Sequence, residues 1–276
     1  MTVQHAMRQG AITLQKAGIE TPVLDAEKLM AACLGIEVGR LALHLSEQLT
    51  EKSATDFNLC VSERETGKPV SQILGWREFY GRRFKINSKV LDPRPDTEIL
   101  VETALSHDFF SFADLGTGSG CILLTLLAER PHSTGVGTDI SEAALKVAEK
   151  NMKLHNLENR CALIRGNWFD AVDRQFDLVV SNPPYVSRQE MKLLSVEVSH
   201  EPRIALTDEG DGLDAFRKII PQSPCYLRPM GRLMVEIGWK QGDPVSGMFH
   251  EGGFADVAVH SDYDGRDRVV SGVWPG

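Results

Sequence analysis

Ser181-Asn182-Pro183-Pro184-Tyr185 directly follows an apolar run, Phe176-Asp177-Leu178-Val179-Val180. Residues before proline avoid the helical region and proline carries no N–H, so this backbone is held extended and offers acceptors with few competing donors. The Asn182 side-chain oxygen and the Pro183 carbonyl are then two fixed acceptors, the complement of a planar NH2 group. Tyr185 adds an aromatic wall for such a group, and its ring face also attracts a cation. An isolated Asn-Pro is an ordinary turn signal. Its place at the end of a buried strand gives it chemical meaning, because open α/β sheets bind ligands where strands end.

A second group of residues points to the other reactant. Asp114-Leu115-Gly116-Thr117-Gly118-Ser119-Gly120 stands at a strand-to-helix junction, where a tight glycine turn lets backbone amides and a helix N-terminus approach a ligand. Cys121 occupies the position where a dinucleotide fingerprint wants glycine, and no Gly-Lys-Ser/Thr follows, so both phosphate-binding readings weaken. Asp139, 19 residues beyond Gly120, ends the next strand with a carboxylate suited to accept two ribose hydroxyl protons. Asp139 would otherwise be a helix cap. Gly166-Asn167-Trp168 ends the third strand and sets an amide and an indole where they can flank an adenine ring. An adenosyl donor beside an NH2 acceptor is the arrangement needed for methyl transfer from a sulfonium. An amide or conjugated amine has a delocalised lone pair, so alignment carries the catalysis: the two acceptors turn the lone pair toward the methyl group and stabilise the positive charge that develops.

The elements that must position these residues are legible from periodicity. Strand and helix signals alternate from Phe112: strands at 112–115, 134–138, 162–165, 176–180 and 232–237, helices at 121–128 and 143–154. This predicts a parallel sheet with helices on both faces, closed by 255–259 and 269–273 as an antiparallel pair. Pro93-Arg94-Pro95-Asp96-Thr97-Glu98 precedes a helical run over 99–105, with Asp96 or Thr97 as its cap. Residues 1–67 read as a small bundle of amphipathic helices, the second opened by Thr21-Pro22 and stopped by Gly35. Between them, 68–92 is a linker with a hairpin turning through Gly81-Arg82-Arg83, and 93–276 is the α/β domain. Glu236, after the fifth strand, is expected either to line the pocket or to act as a structural carboxylate.

Composition narrows the partners. With 42% apolar and 25% charged residues the chain has the makings of a sizeable core. No apolar run is long enough to span a membrane and the amino terminus lacks a signal pattern, so a cytoplasmic protein without membrane contact is expected. Five scattered cysteines (Cys33, Cys60, Cys121, Cys161, Cys225), never spaced as Cys-x-x-Cys, argue against disulfides or a metal site. A net charge of −8 disfavours a nucleic acid substrate, whose grip depends on displacing counterions with Lys and Arg.

With these residues in view, the sequence resembles the HemK/PrmC family of release-factor glutamine methyltransferases over nearly its full length. The resemblance rests on Gly75-Trp76-Arg77-Glu78-Phe79, Pro93 to Glu98, the Asp114 to Gly120 turn, Ser181 to Tyr185, Glu201-Pro202-Arg203-Ile204-Ala205-Leu206 and Gly265-Arg266-Asp267-Arg268. It implies a class I (Rossmann-like) seven-stranded methyltransferase domain with a small N-terminal helical bundle that docks substrate. It implies S-adenosyl-L-methionine as donor, leaving S-adenosyl-L-homocysteine, and the glutamine of the Gly-Gly-Gln tip of class I peptide-chain release factors as acceptor. Gly116, Thr117, Gly118, Ser119, Gly120, Asp139, Trp168 and Asn182 carry over as cofactor contacts, and Asn182, Pro183, Pro184 and Tyr185 as the catalytic, glutamine-binding turn. A monomer is expected. Asp92 stands where the family leads us to expect an apolar residue.

The turn alone also suits a ribosomal-protein glutamine or a DNA or RNA adenine amino group presented by base flipping. Acidity and the lack of a basic target-recognition insertion count against the adenine reading, and the first 90 residues favour release factors. A non-catalytic adenosyl-binding regulator is disfavoured by the intact Asn182-Pro183-Pro184-Tyr185.

Overall fold

A computed structural model describes all 276 residues, which group into two compact units. Met1–Trp76 together with Ser195–His200 form one; Arg77–Leu194 and Glu201–Gly276 form the other.

The first unit is helical: α1 (Val3–Lys16), α2 (Pro22–Leu34), α3 (Glu51–Glu65) and the short α4 (Val70–Leu74). Thr2 and Thr50 cap α1 and α3 by accepting from His5 N and Ser53 N, and Gly35 ends α2 in the left-handed conformation at φ +68°. Val3, Ala6 and Leu14 of α1, Leu29 and Met30 of α2 and Phe57 and Val61 of α3 share its core. This unit runs past residue 67, where sequence periodicity fades, because α4 adds Ile73 and Leu74 to the same core. It also takes in Ser195–His200, which local pattern does not foretell. The tie is Arg64, only 2% exposed, which donates from Nε to Asp25 Oδ2 at 2.7 Å, from Nη1 to Lys68 O at 3.2 Å, and from Nη2 to Glu197. Truncating one partner of a buried ion pair strands the other without compensation. Arg64→Ala is therefore expected to destabilise the helical unit by about 3 kcal/mol, read from its denaturant midpoint; a change below ~1 kcal/mol would contradict that role.

The hairpin of β1 (Trp76–Phe79) and β2 (Arg82–Lys85) turns through Tyr80 and Gly81, both at positive φ, as a two-residue primed turn requires. The second unit then runs α5 (Glu98–Leu105), β3 (Ser111–Leu115), α6 (Cys121–Glu129), β4 (Thr134–Asp139), α7 (Glu142–Leu154), β5 (Cys161–Arg165), β6 (Phe176–Ser181), α8 (Asp214–Gln222), β7 (Leu227–Glu236), α9 (Gly242–Glu251), β8 (Ala255–Ser261) and β9 (Asp267–Val273). The seven strands of its main sheet lie in the order β5-β4-β3-β6-β7-β9-β8; β9 is antiparallel to both neighbours, and the pairs from β5 to β7 are parallel. Side chains alternate across β7, with Met234 facing the core built on α5, α6 and α7, and Leu233 and Val235 facing the core of α8 and α9.

The strands fall where the alternation puts them to within about two residues, except at the start of β7. β7 begins at Leu227 rather than 232, its early part set off by a pairing irregularity and by Met230 at φ +67°. The proposed cap on α5 is absent: neither Asp96 nor Thr97 caps it with its side chain, because a short 3₁₀ turn over Pro95–Thr97 leads in and both side chains are engaged elsewhere. No helix is long and apolar enough to cross a membrane.

Candidate active site

Chain order reverses between β3 and β6, so the loops after these two neighbouring strands diverge and leave a crevice at their carboxyl ends. Ser181 fixes this point: fully buried, it donates from Oγ to Leu115 O at 2.8 Å, joining the two strand ends from which both candidate turns depart. A cavity of about 550 Å³ lies there.

After β3, Gly116, Gly118 and Gly120 adopt φ of +74°, +56° and +81°, the left-handed region that glycine occupies without strain. The Gly116 and Thr117 amides donate to Thr138 O at 2.8 and 2.9 Å, and the Thr117 hydroxyl donates to Asp114 at 2.7 Å. Asn151 of α7, fully buried, donates from Nδ2 to Ser119 O at 2.9 Å and accepts Lys85 N at 2.6 Å, so it links the turn to the hairpin. An asparagine on the apolar face of a helix was the available signal for that role.

Asp139, at the end of β4, accepts Gly118 N on Oδ2 at 2.9 Å and Ser141 N on Oδ1 at 2.8 Å. Ser141, not Asp139, caps α7 through Ala144 N. Each Asp139 oxygen keeps a lone pair, and the carboxylate faces the cavity. Burial raises its pKa, opposed by the two backbone donors. Trp168 sits at φ +54°, a costly conformation for an aromatic residue. Its carbonyl accepts Thr138 Oγ1 at 2.9 Å, and its ring lies 3.4 Å from where a Cβ on Gly116 would stand, so a side chain there would press on the indole.

Gly116, Thr117, Gly118, Ser119, Asp139, Trp168, Asn182 and Pro184 all line the cavity, while Gly120, Pro183 and Tyr185 lie outside its wall. Gly120 is the N-cap of α6. Tyr185 directs its hydroxyl to Glu236 Oε1 at 3.1 Å, and its carbonyl accepts Gln241 Nε2 at 3.0 Å. Asn182 donates from Nδ2 to Thr97 Oγ1 at 3.2 Å.

Segments with no evident chemistry in the sequence converge on the same wall. Pro93, Arg94 and Thr97 line it from one side and Pro202, Arg203 and Ile204 from another. Arg94 pairs with buried Glu201, and Arg268 bridges Asp96 and Asp262 at 2.8 Å each. Asp92, unexpected so deep, is buried with Arg77 Nη1 3.6 Å from its carboxylate.

Two acids are held far from their usual state. Burial pushes Asp114 up to about 7 against the pull of Thr117, and pushes Glu236 up to about 7 against Thr97 and Tyr185. A carboxyl raised in the folded state contributes stability that is present below its unfolded pKa near 4 and is lost as pH rises through about 7. Stability should therefore fall between about pH 4 and 7, with Asp114 contributing up to about 4 kcal/mol. Asp114→Asn should flatten this slope in urea titrations at the two pH values; an unchanged slope would contradict the assignment.

The cavity suits an adenosyl donor: an open glycine turn without a cationic phosphate anchor, a strand-end carboxylate for a diol, and an indole beside it. Comparison with known proteins agrees. Residues 5–75 match the PrmC N-terminal domain and residues 91–213 the methyltransferase small domain. A release factor glutamine methyltransferase of Cereibacter sphaeroides is 46% identical over 100% of this chain and 99% of its own; one of Caulobacter vibrioides is 38% identical over 99% and 96%. A methyltransferase structure from Pyrococcus furiosus, 16% identical, superposes with a TM-score of 0.55 over 72% of this chain and 91% of its own, a likeness of fold. The chain is an S-adenosylmethionine-dependent methyltransferase and belongs to the HemK/PrmC family.

Proposed function

We propose that this enzyme transfers a methyl group from S-adenosyl-L-methionine to the side-chain amide nitrogen, N5, of the glutamine in the Gly-Gly-Gln motif of class I peptide-chain release factors. The observation that carries the reading is the orientation of Asn182. Asn182 lines the cavity and its Nδ2 donates to Thr97, so its Oδ1 is left to accept from an incoming NH2 group. The relatives' names supply the acceptor: a release factor glutamine.

When bound, the donor supplies an electrophilic methyl on a sulfonium. The chain's part is to hold and align. Gly116, Thr117, Gly118 and Ser119 receive the donor against the backbone of the turn, Asp139 accepts its ribose hydroxyls, and Trp168 packs beside its base. Asn182 Oδ1 accepts one N–H of the glutamine amide and the Pro183 carbonyl accepts the other, with Pro184 holding the turn extended. This pins the amide plane so that the nitrogen lone pair meets the carbon in line. The nitrogen that would take the methyl gives up one proton to solvent, and Asn182 and Pro183 hold the amide while it does so. Both acceptors strengthen as nitrogen becomes positive, so no strong base is required.

The reading is tested by offering labelled donor with equal masses of release factor, ribosomal protein and DNA. Label in the release factor alone is expected. Label in DNA or ribosomal protein with none in release factor would overturn it.

A further inference from the structure

Asn182 is useful as an acceptor only if its amide is held one way round, since reversing it would present two N–H donors to a group that is itself a donor. What holds it is remote in sequence. Asn182 Nδ2 meets Thr97 Oγ1 at 3.2 Å, and Thr97 is 2% exposed. A hydroxyl that accepts here still has its own proton to place, and the Thr97 hydroxyl lies close enough to Glu236 to favour that carboxylate's charged form. Glu236, 1% exposed, accepts the Tyr185 hydroxyl on Oε1 at 3.1 Å, while Oε2 makes no hydrogen bond within ordinary limits. The two ends of the Asn182–Tyr185 turn thus lead to one buried carboxylate. Burial and Glu236 keep the Tyr185 phenol well above its ordinary pKa, so it remains a donor.

We infer that Thr97 and Glu236 are positioning residues: the Glu236 carboxylate draws the hydroxyl protons of Thr97 and Tyr185, the Thr97 lone pair faces Asn182 Nδ2, and Asn182 Oδ1 is thereby turned to the acceptor amide. The inference rests on the proposed reading that an amide NH2 occupies the site. It assigns Glu236 a role behind the cavity wall, since Glu236 does not line it.

The state of the carboxylate matters to this device. Protonated, Glu236 would offer its own O–H to one of the two hydroxyls and release Thr97 to turn. Asp96 raises its pKa and Arg268 lowers it, alongside Thr97 and Tyr185, and the Cys121 thiol also feels its charge. With burial setting the value at about 7, kcat is expected to fall as pH drops below it, and Glu236→Gln to abolish that limb.

The test begins with wild-type kinetics on purified release factor and then compares Thr97→Val, Thr97→Ser and Thr97→Val/Asn182→Ala. Thr97→Val is expected to lower kcat about tenfold with KM and donor affinity little changed, and Thr97→Ser to recover most of the loss. In the Asn182→Ala background Thr97→Val should add no further loss, because the residue it positions is gone. A Thr97→Val kcat within about twofold of wild type, or full additivity, would overturn the inference. The Asn182 side-chain NH2 resonances in Thr97→Val give a readout without an acceptor: they should move if Thr97 holds the amide, and unchanged resonances would contradict it. Wild-type inactivity on release factor with shifted resonances would instead count against the glutamine reading alone.

Discussion

Asn182→Ala is expected to lower kcat by about 10²–10³ while leaving donor affinity within a few-fold of wild type. In the proposed reaction the acceptor nitrogen is nearly neutral before transfer and positive during it, so the Asn182 oxygen would interact more strongly in the transition state than in the ground state. Removing a preorganised partner of that kind costs about 3–4 kcal/mol of barrier. Asn182 also lines the donor cavity, so calorimetric titration with S-adenosylhomocysteine must accompany the kinetics. Loss confined to kcat supports alignment. A matching loss of donor affinity would make Asn182 a binding residue instead, and unchanged turnover would remove it from the mechanism.

Asp139→Ala should act on the other reactant. Its carboxylate accepts Gly118 N and Ser141 N and keeps lone pairs toward the cavity, so the substitution would remove the proposed ribose acceptor and release the middle of the glycine turn. Two hydrogen bonds to a charged acceptor, at about 1.5–3 kcal/mol each, correspond to a loss of about 10²–10⁴ in affinity. The same titration measures it. Asp139→Asn, which retains one acceptor oxygen, should fall between. Because burial raises the pKa of Asp139, donor affinity should also weaken on acidification. Affinity unchanged by Asp139→Ala would place the ribose elsewhere.

Much of the catalytic unit was legible because its determinants are local. Alternating apolar residues mark the strands, glycines mark a turn that must reach positive φ, and Asn182-Pro183-Pro184-Tyr185 marks a strand end at the cavity. What the sequence withheld depends on contacts between distant segments. Thr97 reads as a helix cap, since a hydroxyl before a helix usually caps it; its partner Asn182 is 85 residues away. Glu236 looks alike as pocket lining or structural acid until its burial and the Tyr185 hydroxyl are known. Arg64 gives no sign of holding Glu197, nor Glu201 of holding Arg94. Tyr185 was expected as a wall for the acceptor group; its ring packs against the α8 and α9 core and its hydroxyl reaches Glu236, a partner that only the fold reveals.

Mass spectrometry should locate the methyl group after reaction with wild-type release factor and with its Gly-Gly-Gln variant carrying Gln→Ala. One added methyl on that glutamine side chain is expected in the wild type and none in the variant. A methyl on any other residue, or equal methylation of the two proteins, would contradict the proposed function.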